Sequence, residues 1–164
     1  KAAEIPTVAT VPTLESFLPV CMGAGTPLAA PRPMDGTART PFIIEFPPEI
    51  FGGVPTARTP ISADSKFDTV ACVSIASIEP VKACKIGADG PVRSDGSYDM
   101  APVYISTGTD VEVVVRDAAT AIEVGRFTKR FEAQKCDPLT RANETVYATD
   151  WNAINADLLP LLLK

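Results

Sequence analysis

The chain has 164 residues, a net charge of −5, and 46% hydrophobic against 21% charged residues, a globular balance long enough to bury about 70% of the surface its unfolded form exposes. The acidic balance argues against nucleic-acid partners, whose affinity comes largely from clustered Lys and Arg neutralising phosphates. Histidine is absent, which removes the commonest general base, the Ser-His and Cys-His nucleophile systems and the usual zinc and copper ligands.

From Lys1 to about Pro60 prolines recur at 6, 12, 19, 27, 31, 33, 41, 47, 48, 55 and 60. Each fixes φ and removes a donor, so residues 1–60 read as an extended strap rather than long central strands or helices. Its apolar islands, Leu14–Val20 and Phe42–Phe46, are expected to touch a β core; the second, bounded by prolines, suits an edge strand. The β core is expected over 61–138. Phe67, Thr69, Ala71, Val73 and Ile75 share one face and Val70 and Cys72 the other, a strand covered on both sides. Ser77-Ile78-Glu79-Pro80 reads as a turn and Val81–Ile86 as the return of a hairpin.

Residues 87–100 form a polar connection with the pairs Asp89-Gly90 and Asp95-Gly96. Val103–Thr107 is the next strand, Gly108-Thr109-Asp110 a tight turn, Val111–Arg116 a further strand, and Asp117 to Ala121 a second turn. Glu123–Phe131 closes the set with Phe127 and Phe131 inward. Lys129 shares their parity, a conflict that a bulge or an edge position resolves. In the tail, 139–164, Thr149-Asp150 offers an N-cap to a helix over Trp151–Leu159 with Trp151, Ile154 and Leu158 on one face, ended or kinked by Pro160. The whole reads as a single all-β domain, an antiparallel sandwich or open barrel of five to seven strands with one short C-terminal helix.

The four cysteines, Cys21, Cys72, Cys84 and Cys136, show no C-x-x-C spacing, so two disulfides in an exported protein are expected before a zinc site or a redox dithiol. A start at Lys1 without Met or an apolar leader suits a processed chain. If Ser77–Pro80 makes a hairpin, Cys72 and Cys84 face each other within bonding reach, which leaves Cys21 with Cys136.

The order of Val73, Cys84-Lys85-Ile86, Val111–Val115, Arg116–Thr120, Phe127 to Phe131 and Cys136-Asp137-Pro138, followed by a short helix, resembles an uncharacterised domain found at the ends of bacterial exported and membrane-anchored proteins. That family usually has proline directly after the last cysteine, where Asp137 intervenes here. The resemblance covers about half the chain. It implies an all-β exported module with Cys84 paired to Cys136, and no activity. The pairing set favoured is therefore Cys84–Cys136 with Cys21–Cys72, which staples the strap to the core.

Few residues invite chemistry. Asp89, Asp95 and Asp99 offer oxygen ligands on a loop and could hold Ca²⁺, or serve as an acid and base on a sugar. Their spacing is not that of an EF-hand loop, and Asp-Gly is first of all a turn signal. Arg126, Lys129 and Arg130 interleave with Phe127 and Phe131, a pattern that can stack bases or sugars, but alternation sends the phenylalanines into the core. Asn143-Glu144-Thr145 fits a glycosylation acceptor, and Ser65-Lys66 is the one adjacent Ser-Lys pair, on a loop. The expected function is a non-enzymatic, cofactor-free binding or structural module outside the cytoplasm, in the periplasm, at the cell surface or secreted. Its partners would be a protein, a cell-envelope carbohydrate or a second copy, with membrane attachment only through an N-terminal lipid anchor. The alternative is a calcium-dependent or carbohydrate-active enzyme using the loop carboxylates.

Overall fold

The computed structural model describes residues 12–49, 52–62, 64–85, 103–133, 145–147 and 149–164. It contains helix α1 (Leu14–Cys21), strands β1 (Pro41–Phe46), β2 (Thr56–Ala57), β3 (Thr69–Lys85), β4 (Val103–Asp117), β5 (Glu123–Phe131) and β6 (Thr145–Tyr147), and helix α2 (Trp151–Leu162). The strands form one open six-stranded sheet in the order β2-β1-β3-β4-β5, with β6 also on β4. Pairing is antiparallel for β1–β2, β3–β4 and β4–β5, and parallel for β1–β3 and β4–β6. The all-β class, the strand number and the short C-terminal helix match expectation. Among the described residues the sheet is open, its faces covered by α1 and α2 rather than by a second sheet.

Pleating divides the core in two. On one face Phe42 and Ile44 of β1 and Val70 and Cys72 of β3 pack with Phe17 and Val20 of α1. Phe17 stacks on Phe42 with ring centroids 4.7 Å apart, and Phe67 meets both edge-on. On the other face Ala71, Val73, Ile75, Val111, Val113 and Val115 receive Ile154, Leu158 and Leu162 of α2. The two-sided burial predicted for residues 69–75 is therefore present, but Phe67, expected on the Ala71 face, lies before β3 and packs on the α1 side, where strand parity does not reach it.

Several local expectations are overturned. Leu14–Val20 is helical, not extended: Leu14, Phe17, Leu18 and Cys21 fall at i, i+3, i+4 and i+7. Thr13 caps the helix, accepting from Ser16 N–H while its own N–H donates to the Ser16 hydroxyl. Pro19 is tolerated because the helix is already ending, with Gly23 in the left-handed region (φ 95°) directly beyond. The strap reading holds for residues 22–40, which hold no helix or strand. They are laced to the sheet end by Thr26 N–H to Ala118 O and Ala30 N–H to Phe67 O, and to the end of α2 by Arg39 N–H to Leu162 O.

The turns expected at Ser77–Pro80 and Gly108–Asp110 do not form. β3 and β4 are long continuous partners, and Pro80 is absorbed by a shift of register between Ile78 and Lys82. Glu79, Pro80 and Val81 fall in that shift opposite Thr107, where the regular pairing is already interrupted, and the Thr107 hydroxyl donates to Ile78 O at 2.9 Å. Gly108 serves close approach: a Cβ would lie 2.8 Å from Phe131 O. The predicted Asp117–Ala121 turn is present, closed by Asp117 N–H to Ile122 O.

Gly25 shows the same logic at the strap, where a Cβ would stand 1.9 Å from the Ala119 carbonyl oxygen. That atom is backbone of a fixed turn and cannot swing away. Gly25→Ala should therefore cost about 1–3 kcal/mol, as overpacking does, read as a lower urea midpoint at unchanged slope.

On β5 the Lys129 conflict is resolved by an edge position. Phe127 and Phe131 pack toward α2, and Lys129, on the same face, ends its ammonium 2.7 Å from Asp157 of that helix. Asp150 is the α2 N-cap, accepting from Asn152 and Ala153 N–H. The helix runs on through Pro160 to Leu162, which is buried, while Leu159 and Leu163 are exposed.

Candidate functional site

Of the cysteines, Cys21 and Cys72 are bonded, with Cα atoms 5.8 Å apart across 51 residues. The bridge joins the end of α1 to the α1-facing side of β3, as favoured. The cross-strand alternative is overturned: Cys72 and Cys84 lie along the same strand, and Cys84 is in register with Tyr104. The Cys84–Cys136 pairing lies outside the described residues, as do Asp89, Asp95, Asp99, Asn143 and Glu144.

The described basic residues of β5 do not form an open cationic patch. Arg130 donates to both carboxylate oxygens of Asp110, at 2.7 and 3.0 Å, and Arg126 donates to Glu123 at 2.7 Å with Glu112 at 3.8 Å. These pairs lie on the α1-facing side of the sheet, beyond the reach of the helix. Each guanidinium is held more firmly protonated, chiefly by its hydrogen bond to Glu123 or Asp110. The same Arg130 bond holds the Asp110 carboxyl below its ordinary 3.8. A carboxylate whose pKa falls on folding stabilises the fold above its unfolded value, about 3.9, and loses that contribution as the pH drops through the lower folded value. Asp110→Asn should therefore lower the melting temperature slightly near neutral pH and leave it unchanged in strong acid. Melts across the acid range check this.

Ser65 bonds Ser62 through its hydroxyl, which agrees with a loop role. Trp151 lies under the guanidinium of Arg58, 4.1 Å from the ring centroid, and Arg58 also reaches Glu45 at 3.6 Å. That cluster pins the start of α2 to β1 and β2.

A concave feature with convergent polar groups is a groove of about 640 Å³ at the sheet end. The strap supplies Pro31, Arg32 and Arg39, the β4–β5 turn Asp117 and Thr120, and the start of β5 Glu123. Arg39 is its floor. The guanidinium is almost fully buried, with Nε donating to Lys164 O at 3.2 Å and Nη1 facing Thr69 Oγ1 and Asp117 Oδ2, each at 3.4 Å. Asp117 Oδ1 accepts from Ala119 N–H, Thr120 N–H and the Thr120 hydroxyl, all at 3.1 Å. Asp68 beside them accepts from Thr40 N–H and the Thr69 hydroxyl. Buried charge is tolerable here because each ion meets an opposite charge or several donors.

No family model matches the chain, and no curated protein or solved structure matches it.

Sequence reasoning missed Arg39, Asp68 and Asp117 as a group. They are spread over nearly eighty residues, and no local pattern links a strap arginine to a hairpin turn. The one legible signal was Asp-Ala-Ala-Thr at 117–120, an Asx-type turn whose carboxylate binds its own backbone.

Proposed function

We propose that the chain is a non-enzymatic binding or structural module that works outside the cytoplasm, as part of a bacterial periplasmic, surface-bound or secreted protein. The observation that carries this reading is the Cys21–Cys72 bridge. Structural disulfides persist in oxidising compartments and are rare where thiols are kept reduced. Among the described residues no helix is long and apolar enough to cross a membrane. The weak likeness to an exported bacterial domain points the same way. The groove at the sheet end is the surface on which a binding role would rest, with a protein or a cell-envelope carbohydrate as the partner class.

Non-reducing peptide mapping of the protein isolated from its native source tests the compartment. The expected result is a peptide joining Cys21 to Cys72. Free thiols at both positions would sink the reading.

A further inference from the structure

We propose that the groove at the sheet end binds a small organic carboxylate with an apolar body, the carboxylate held by Arg39 and Arg32. This rests on the binding half of the reading above and names the ligand class of that site.

The argument begins with unused donors. A guanidinium carries five N–H groups in a fixed fork. Arg39 spends Nε on Lys164 O and Nη1 on Thr69 and Asp117, and Nη2 has no acceptor among the described residues. Nη2 is not sealed off either, since Arg116 Nε is the only described buried side-chain nitrogen or oxygen without a partner. Nη2 therefore keeps a little exposed surface, on a residue that lines the groove. The arginine is held in place from several sides, because its own N–H donates to Leu162 O at 2.8 Å. The fork itself is spent, but the two N–H groups of Nη2 on a fixed guanidinium can give a carboxylate oxygen a charge-assisted bond, with Arg32 free to reach the other oxygen.

Local charge agrees. Asp117 is saturated by three donors on Oδ1 and by Arg39 on Oδ2. Glu123 is drawn to Arg126. Arg32 makes no ion pair among the described residues, so on a chain of net charge −5 this groove keeps an uncommitted cation. Apart from Lys164 and Thr120 the remaining walls are apolar: Ala29, Pro31, Ile122 and Val124 line the groove, and Ile122 is 67% exposed. An apolar body laid on Ile122 and Pro31 would remove that surface from water. A volume of about 640 Å³ is in the range of small-molecule sites. The carboxylate could belong to a free small acid or to the end of a peptide.

The test uses the full chain, ¹⁵N-labelled and with Cys21–Cys72 intact, titrated with hexanoate, hexanamide, N-acetyl-alanyl-alanine and the amide of that dipeptide. Saturable shifts at 29–32 and 119–124 with the acids, and none with the amides, are expected. The tighter of the two acids assigns the source. Arg32→Ala should weaken the acid about five- to tenfold, the loss of one charge-assisted contact. Arg39→Lys keeps a cation but loses the Nη2 donors that the Nε and Nη1 bonds hold in place, and should weaken it similarly; if that variant unfolds, Arg32→Ala decides alone. Unsaturable shifts with both acids, equal binding of acid and amide, or unchanged affinity in Arg32→Ala would overturn the site. Such a failure with Cys21–Cys72 intact leaves the extracytoplasmic reading standing, whereas free thiols would remove that reading and not this site.

Discussion

Phe42→Ala should destabilise the fold by about 3–5 kcal/mol, the usual cost of truncating a fully buried aromatic. Phe42 has no exposed surface, stacks on Phe17 at 4.7 Å and takes the edge of Phe67 at 5.2 Å, so its removal empties the centre of the α1-facing core. The hole cannot close easily. Its floor is the β1 backbone, paired on both sides by β2 and β3, and its roof is a helix bonded to the sheet through Cys21–Cys72. Urea unfolding followed by circular dichroism should show the midpoint fall at unchanged slope, with Phe42→Leu losing much less. A loss under about 1 kcal/mol would mean that this face is not a packed core.

Replacing Cys21 and Cys72 together by alanine should cost about 4 kcal/mol in the chain-entropy picture, given the 51-residue separation. For a domain of this size that is a fall in melting temperature of about 8–16 °C. The double substitution avoids stray thiols that could mispair with Cys84 or Cys136. The loss should be concentrated in α1. That helix has eight residues and an internal proline, so without its staple it is too short to persist on propensity alone. Limited proteolysis should then cut between Pro12 and Ala30 well before the sheet. A melting shift below about 2 °C would contradict the staple. Because Phe17 and Cys21 sit on the same short helix, the Phe42 and disulfide changes share a partner and should not add.

The β class was legible wherever one residue's parity decided its burial. The alternation of residues 69–75, the valines at 111, 113 and 115, and the phenylalanines at 127 and 131 all predicted the face that each occupies. The α2 cap at Asp150 was legible for the same local reason, since a capping carboxylate acts within three residues. Proline density misled at α1. Thr13, Ser16 and the spacing Leu14, Phe17, Leu18, Cys21 carried a helix signal that one proline near its end did not cancel. Pro80 and Gly108 misled in the opposite direction. Both are turn residues by propensity, yet β3 and β4 continue through them because a register shift absorbs the proline and the glycine admits the end of β5.

Sequence by itself determined which residues are apolar on which parity, where the last helix begins, that histidine chemistry is absent, and that cysteines without close spacing suit disulfides. Those properties depend on residue type and on neighbours a few positions away. Only the tertiary structure decided that β1 lies parallel to β3, that Cys21 reaches Cys72, and that Arg39 of the strap meets Asp117 of a distant turn with donors to spare. Each of these joins segments far apart along the chain, and the physics selecting them is the simultaneous burial of both sheet faces together with the pairing of buried charges such as Arg39 and Asp117, which no local window contains.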